Sequence, residues 1–229
     1  GRFSSSSGGI SPEQQIALGP AYQAHFAQAI REVTARLGIP LIFDEVVTGF
    51  GRIGSLCGAR AWGVAPDIMA MAKGIISGYV PLGATLVNER VASAWEQPNV
   101  PAAMMHGYTY SGHALACASA NANLDIVTRE NLPGNAHHVG TYFQESLQQL
   151  MKFSHVGEVR GKGLMAAVEL VTDRVTKEML LPPSPYIQTL VGTARLEGGM
   201  IRVQGNRLIL SPPLVFTHAH VDETLRILN

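Results

Sequence analysis

Two short apolar runs, each closed by a charge, constrain this chain more than any other feature. Leu41-Ile42-Phe43 ends at Asp44, and Ile68-Met69-Ala70-Met71-Ala72 ends at Lys73. Runs this short, with no polar alternation, suit strands covered on both faces, as in a parallel sheet. A charge closing each run falls at the carboxyl edge of such a sheet, where open α/β folds bind ligands. A buried carboxylate and a buried lysine are therefore expected at one site.

The surrounding pattern alternates helix and strand. Residues 1–19 read as loop. From Tyr22, the apolar positions Tyr22, Phe26, Ile30, Val33 and Leu37 recur at spacings of four, four, three and four. That is one face of an amphipathic helix, ended by Gly38 and Pro40. Ala84 to Val87 reads as a further strand, with a helix starting at Asn88. The loop His106 to His113 leads into an alanine-rich helix over 114–127. After Asn131-Leu132-Pro133-Gly134 the character changes. A helix near 138–151 precedes strands at 156–160 and 164–170, a proline-rich link at 182–185 and a helix through Leu196. Strands at 200–203 and 207–211 follow, then a last helix started by Thr217. The fold class is α/β: a mostly parallel sheet covered on both faces, over residues 1–130, then a small α+β unit, 131–229.

The chain carries 17 basic and 17 acidic residues, so its net charge points to neither nucleic acid nor an anionic membrane. Only 15% of residues are charged against 46% hydrophobic, which implies a large shared core or a substantial subunit interface. No apolar run approaches the roughly 18 residues that span a bilayer, and the opening Gly1-Arg2-Phe3 is unlike a signal peptide. Cys57 and Cys117 form no CxxC pair, which suits a reduced, cytoplasmic setting. His137-His138 and His218-x-His220 lack the neighbouring Cys, Asp or Glu of a metal site and read as surface or helix-start residues.

The loop after Asp44 contains Gly49-Phe50-Gly51-Arg52-Ile53-Gly54, formally a G-x-G-x-x-G. A dinucleotide fingerprint needs those glycines directly after the strand and opening a helix. Here Glu45 to Thr48 intervene, and Gly58, Gly63 and Pro66 are expected to break any helix, so a nicotinamide cofactor is disfavoured. A carboxylate and a lysine at separate strand ends suit pyridoxal phosphate (PLP) instead. The lysine would hold the aldehyde as a Schiff base, and the aspartate would pair with the pyridinium nitrogen.

The longer pattern carries a resemblance. Leu41-Ile42-Phe43-Asp44-Glu45-Val46-x-x-Gly49-x-Gly51-Arg52-x-Gly54 is followed by Pro66-Asp67-Ile68, Ala72-Lys73-Gly74 and Gly78-x-x-Pro81-Leu82-Gly83-Ala84. Over residues 8–229 the chain resembles the class III PLP-dependent aminotransferases. The resemblance implies fold-type I architecture, with a large domain, a smaller C-terminal domain and an obligate homodimer. It makes Asp44 the partner of the ring nitrogen, Lys73 the Schiff-base lysine and general base, and Val46 a residue packed on the ring. Thr109, in Gly107-Tyr108-Thr109-Tyr110-Ser111-Gly112-His113, matches a threonine that reaches across the dimer to the partner subunit's cofactor phosphate. Arg202 aligns with the arginine that the omega-amino acid–pyruvate branch uses for a substrate carboxylate, and a planar guanidinium suits that contact. Arg207 is a rival for that role. Val156 to Leu164 matches the first strand pair of the small domain.

The activity implied is transfer of an amino group from an omega-amino acid or amine to a keto acid such as pyruvate. A racemase, aminomutase or decarboxylase on the same scaffold also needs Asp44 and Lys73, and a non-catalytic fragment is a further alternative. The family normally carries a long N-terminal part with the phosphate-binding turn, a stacked aromatic and much of the substrate pocket. This chain looks like the C-terminal half or so, and residues 1–229 alone are expected to bind PLP poorly.

Overall fold

A computed structural model describes the backbone of residues 12–96 and 106–229, with side chains from Gln23 onward. Helix α1 (Pro12–Arg36) starts well before Tyr22. Proline suits a first helical turn, where its missing N–H costs nothing. Residues 1–11 of the expected leading loop, and the side chain of Tyr22, lie outside the described residues. Phe26, Val33 and Leu37 are 55%, 44% and 60% exposed, so the apolar face of α1 is left largely uncovered.

The first sheet has the order β1 (Ile42–Asp44), β2 (Ile68–Met71), β3 (Ala84–Val87). β1 and β2 are parallel, with Ile42 opposite Ile68 and Asp44 opposite Ala70. β3 returns antiparallel to β2, so the expected mostly parallel sheet is represented by one parallel and one antiparallel pair. Ile42 is 61% exposed and Leu86 49%. These strands are not covered on both faces by the described residues, contrary to expectation. An apolar run reports that a strand is to be covered, and not by which part of a molecule.

Between β1 and β2 a short helix, α2 (Gly58–Trp62), forms where a break was expected, and Gly63 ends it in the left-handed region. The Glu45 carboxylate makes it possible by accepting the N–H groups of Gly58 (2.8 Å) and Ala59 (2.7 Å), the unpaired donors of a helix start. Asn88 caps α3 (Glu89–Ala92) as its sequence position suggests, accepting from the Val91 N–H. α4 (Ala114–Arg129) is capped by His113. α5 (Leu132–Leu147) begins earlier than 138: Asn131 accepts from the Gly134 N–H and Pro133 sits in the first turn. The segment Asn131 to Gly134, where the character of the sequence changes, is a helix start.

The second sheet contains β4 (Val156–Lys162), β5 (Met165–Asp173) and the two-residue β6 (Glu178–Met179), which sequence did not reveal. After α6 (Pro185–Leu196) come β7 (Arg202–Gln204), β8 (Arg207–Leu210) and α7 (His218–Leu228). All pairs are antiparallel, in the order β4-β5-β8-β7 with β6 on β5. Phe143, Leu147 and Leu164 are fully buried in the core that the second sheet builds with α5, α6 and α7. A smaller core joins Phe50, Met71, Ile75 and Ile76 to Ala116 and Ala120 of α4.

The 49–54 loop crosses between the two cores, which accounts for its glycines and for Gly163. A Cβ on Gly163, already at a φ of 56°, would lie 2.6 Å from the Ile53 carbonyl carbon, and one on Gly54 would lie 2.9 Å from the His137 Cα. Arg52 seals the crossing by donating to the carbonyls of Leu164 (3.1 Å) and Pro212. Burial pulls its guanidinium below the ordinary value. The G-x-G-x-x-G pattern here serves backbone packing. No helix among the described residues is long and apolar enough to cross a membrane.

Candidate active site

Asp44 and Lys73 leave adjacent parallel strands at the same edge. Asp44 is in register with Ala70, and the Glu45 N–H extends the ladder by donating to the Ala70 carbonyl at 2.8 Å. Past the end of β2, Lys73 opens a single 3-10 turn, Lys73–Ile75, and holds a left-handed φ of 44°. For a residue with a side chain that conformation costs about 1–3 kcal/mol and concentrates at functional sites. Asp44 uses one oxygen, Oδ1, to accept the Val46 N–H at 3.0 Å. The Lys73 amine has no hydrogen bond or ion pair among the described residues.

Both side chains are exposed, and Val46 is half-buried. The expected buried pair is corrected on this point. The strands deliver the two groups to one edge, but nothing among the described residues covers that edge.

Two acidic residues that sequence inspection did not single out hold the strands in place. Glu45 is 1% exposed, and besides the α2 donors it accepts from the Thr48 hydroxyl. Its signal was its position directly after Asp44, at the head of a loop that needs an anchor. Asp67 is 4% exposed. Its carboxylate accepts from the Leu41 N–H at 2.8 Å, Arg31 at 2.8 Å and Asn88 at 2.9 Å. The backbone bond from Leu41, then Arg31 and Asn88, hold its carboxyl well below the usual carboxylate range. Asp67 thereby ties α1, the start of β1 and the end of β3 into one piece.

A cleft of about 700 Å³ runs between α1, β1 and the second sheet. Asp44 lines it with Phe26, Ile42 and Trp62, and Arg160, Met165 and Ile209 form the opposite wall. Lys73, Val46, Thr109 and Arg202 are not in its lining. Because β1 has one hydrogen-bonded neighbour among the described residues, the cleft follows an open sheet edge. The strand-end geometry of Asp44 and Lys73, rather than this hollow, defines the site.

Arg202 lies opposite Ile209 on β7 and β8, and Ile209 lies opposite Ala167 on β5. Paired residues share a sheet face, so Arg202 sits on the face that forms the cleft wall. Of the arginines there, Arg160 pairs with Glu158 (2.7 Å) and Glu169 (2.9 Å), and Arg207 pairs with Glu169 (3.5 Å). Partial burial works to raise the Glu169 carboxyl, but Arg160, Asn206 and Arg207 together hold it below its ordinary value. Arg202 is exposed and has no such partner among the described residues.

Thr109 lies in an exposed turn before α4, closed by the Ser111 N–H donating to the Tyr108 carbonyl at 2.9 Å. Tyr108 and Tyr110 beside it are 75% and 80% exposed. Among the described residues, no group of three or more His, Cys, Asp or Glu side chains is placed to hold a metal ion.

An α/β sheet that delivers a carboxylate and a lysine to one edge, followed by a small α+β unit, is the arrangement of a known enzyme class. The profile of the class III aminotransferases matches residues 19–229, and the chain belongs to that family. It is 51% identical to an amine transaminase from an uncultivated Pseudomonas species, solved in its PLP-bound, internal-aldimine form. The two superpose with a TM-score of 0.87 over 90% of this chain and 47% of that one. A thermostable (S)-enantioselective omega-transaminase from Thermomicrobium roseum is 42% identical, with a TM-score of 0.84 over 89% of this chain and 45% of that one. The fold is thus fold-type I. An uncharacterized aminotransferase of Sinorhizobium fredii is 46% identical over 86% of this chain and 43% of its own length. The omega-aminotransferase of Caulobacter vibrioides is 36% identical over 88% of this chain and 45% of its own length. The chain spans about half the length of the curated relatives it matches.

Proposed function

We propose that this chain forms part of a PLP-dependent transaminase that moves an amino group from an omega-amino acid or amine to a keto acid such as pyruvate. The observation that carries the reading is the delivery of Asp44 and Lys73 to one edge by neighbouring parallel strands, each with bonding capacity left unsatisfied among the described residues. A free amine and a carboxylate oxygen without a partner are the donor set that an aldehyde-bearing pyridine cofactor requires. When bound, PLP supplies the electron sink that lets a bond at the substrate carbon break. Lys73 anchors the cofactor, and its amine carries the proton to and from the substrate carbon. Asp44, whose hydrogen bond among the described residues uses Oδ1, would hold the ring nitrogen through Oδ2, and Val46 would pack against the ring.

Arg202 binds the carboxylate of the keto acid. Its lack of a counter-ion among the described residues supports that role over Arg207, whose guanidinium Glu169 already holds. Thr109 serves the cofactor phosphate of a partner subunit in a homodimer, and its exposed, tyrosine-flanked turn ahead of α4 suits a contact made outside the protomer. Residues 1–130 belong to the large cofactor domain and 131–229 form the small one. The unpaired cysteines, Cys57 and Cys117, suit a reduced, cytoplasmic setting.

The test is to supply the complete protein of which this chain forms part with PLP, pyruvate and a primary amine. The donor should leave as its carbonyl compound while pyruvate gains the amino group as alanine, in equal amounts. Visible absorbance of bound PLP without alanine would instead favour a racemase, aminomutase or decarboxylase on this scaffold.

A further inference from the structure

Phe50, at a left-handed backbone angle, packs against the residue that follows Lys73, itself at a left-handed angle. Phe50 holds a φ of 61° and Lys73 a φ of 44°. A left-handed conformation is a genuine outlier for a bulky residue and persists only where its surroundings enforce it. Phe50 is 7% exposed, and its N–H donates to the Leu56 carbonyl at 2.6 Å. Its side chain lies against Gly74, the residue after Lys73. A Cβ at Gly74 would lie 3.0 Å from the Phe50 Cβ, 3.4 Å from its Cδ2 and 3.4 Å from the Gly49 carbonyl.

The loop that presents Phe50 is fastened at its root. The buried Glu45 carboxylate takes the Gly58 and Ala59 N–H groups and the Thr48 hydroxyl. The Glu45 carbonyl accepts the Gly49 N–H at 2.9 Å. On its other side the lysine turn is held by Asn123 of α4, which donates to the carbonyls of Gly74 (2.9 Å) and Ile75 (3.1 Å). The turn is thus gripped between Phe50 and Asn123, and a buried charge clamps the loop that carries Phe50.

We propose that Phe50, clamped by Glu45, is a positioning residue that holds the 73–75 turn in the left-handed geometry from which Lys73 reaches the cofactor. It touches no reacting atom. The proposal rests on the reading of Lys73 as the cofactor anchor. Removing Phe50 lets the turn relax, and adding a methyl at Gly74 pushes it away from Phe50. Both changes misplace the amine.

Three variants and one control, made in the complete protein of which this chain forms part, test this. Phe50→Ala and Gly74→Ala should each lower kcat by roughly ten- to a hundredfold, the scale of a small misplacement of a reacting group. KM should stay close to wild type, and the pH midpoint of the visible absorbance of bound PLP should shift. The double variant Phe50→Gly/Gly74→Ala, in which no Cβ at position 50 meets the new methyl, should recover part of both losses relative to Gly74→Ala. In the cofactor-free protein, amide hydrogen exchange at Ile76 and Ser77, whose N–H groups bond to the Lys73 carbonyl, should quicken about tenfold in Phe50→Ala through local opening. Exchange at Val168 and Leu170 in the second sheet should be unchanged. If Phe50→Ala does not fold, Phe50→Leu carries the same measurements.

Lys73→Ala is the control. If it abolishes the absorbance while the Phe50 and Gly74 variants keep the wild-type midpoint and exchange, the positioning role is overturned and Lys73 stands as the anchor. If Lys73→Ala keeps the absorbance, the anchor assignment fails and the proposal falls with it.

Discussion

The two sheets of this chain are finished to different degrees. The second closes its own core, with Phe143, Leu147 and Leu164 fully buried beneath α5, α6 and α7. The first sheet exposes apolar residues, Ile42 at 61% and Leu86 at 49%, and carries both groups proposed to do the chemistry. The part that folds around itself supplies Arg202, whereas the part left open supplies Asp44 and Lys73. Self-sufficient packing and the principal chemistry are thus separated along the chain. The 49–54 loop, pinned by Arg52 and accommodated by Gly163, joins the two.

Variants should respect that division. In the complete protein of which this chain forms part, Lys73→Ala should remove the visible absorbance of bound PLP and nearly all turnover, with thermal unfolding little changed, whereas Lys152→Ala should leave all three. Asp44→Asn comes next. A neutral amide cannot hold the ring nitrogen protonated, so kcat should fall by several powers of ten, each factor of ten corresponding to about 1.4 kcal/mol. Much of the cofactor should stay bound. Near wild-type turnover in that variant would remove the pyridinium role.

The opposite signature belongs to the second sheet. Phe143→Ala should destabilise the fold by about 3–5 kcal/mol in denaturant titrations. The PLP absorbance should be preserved wherever the variant is folded. Equal damage to absorbance and stability would mean that the two regions are one cooperative unit.

Arg202→Ala should raise KM for pyruvate by roughly ten- to a hundredfold, about 1.5–3 kcal/mol for a charge-assisted contact. An amine without a carboxylate should be barely affected. Arg207→Ala should do less, because Glu169 engages that guanidinium in the folded protein. If Arg207→Ala has the larger effect, the two arginines exchange roles.

Asp67 gives the smallest and most condition-dependent effect. Its carboxyl is held well below the ordinary range in the fold, chiefly by the Leu41 N–H, Arg31 and Asn88. The ionised form is therefore favoured by folding. Its contribution is full above the unfolded value near ~3.9 and is lost as pH falls toward the folded one. Asp67→Asn should be destabilised at neutral pH, and its deficit against wild type should shrink below about pH 4. A deficit constant across that range would mean that the charge is irrelevant.

Much of this was legible because short-range chemistry wrote it. The apolar runs before Asp44 and Lys73 located β1 and β2, Asn88 and Thr217 announced helix starts, and Ala84 to Val87 was a strand as read. What was not legible depended on contacts between distant residues. α2 forms between two glycines because Glu45, thirteen positions earlier, supplies its missing acceptors. That the glycines of 49–54 are no dinucleotide fingerprint was legible from their distance to the strand, but their packing against Gly163 and His137 was not. Burial of Asp44 and Lys73 was inferred from apolar neighbours along the chain, whereas exposure is decided by what packs on the strand edge. The preference for Arg202 over Arg207 came from the resemblance, and the Glu169 ion pair, which no spacing reveals, is a second argument for it.

The most direct measurement of the central claim is chemical trapping of the cofactor. The complete protein of which this chain forms part would be loaded with PLP, reduced with borohydride, digested and mapped by mass spectrometry. A pyridoxyl label on the peptide containing Lys73, absent after Lys73→Ala, is the predicted result. A label on Lys152 or Lys162 instead would contradict the account.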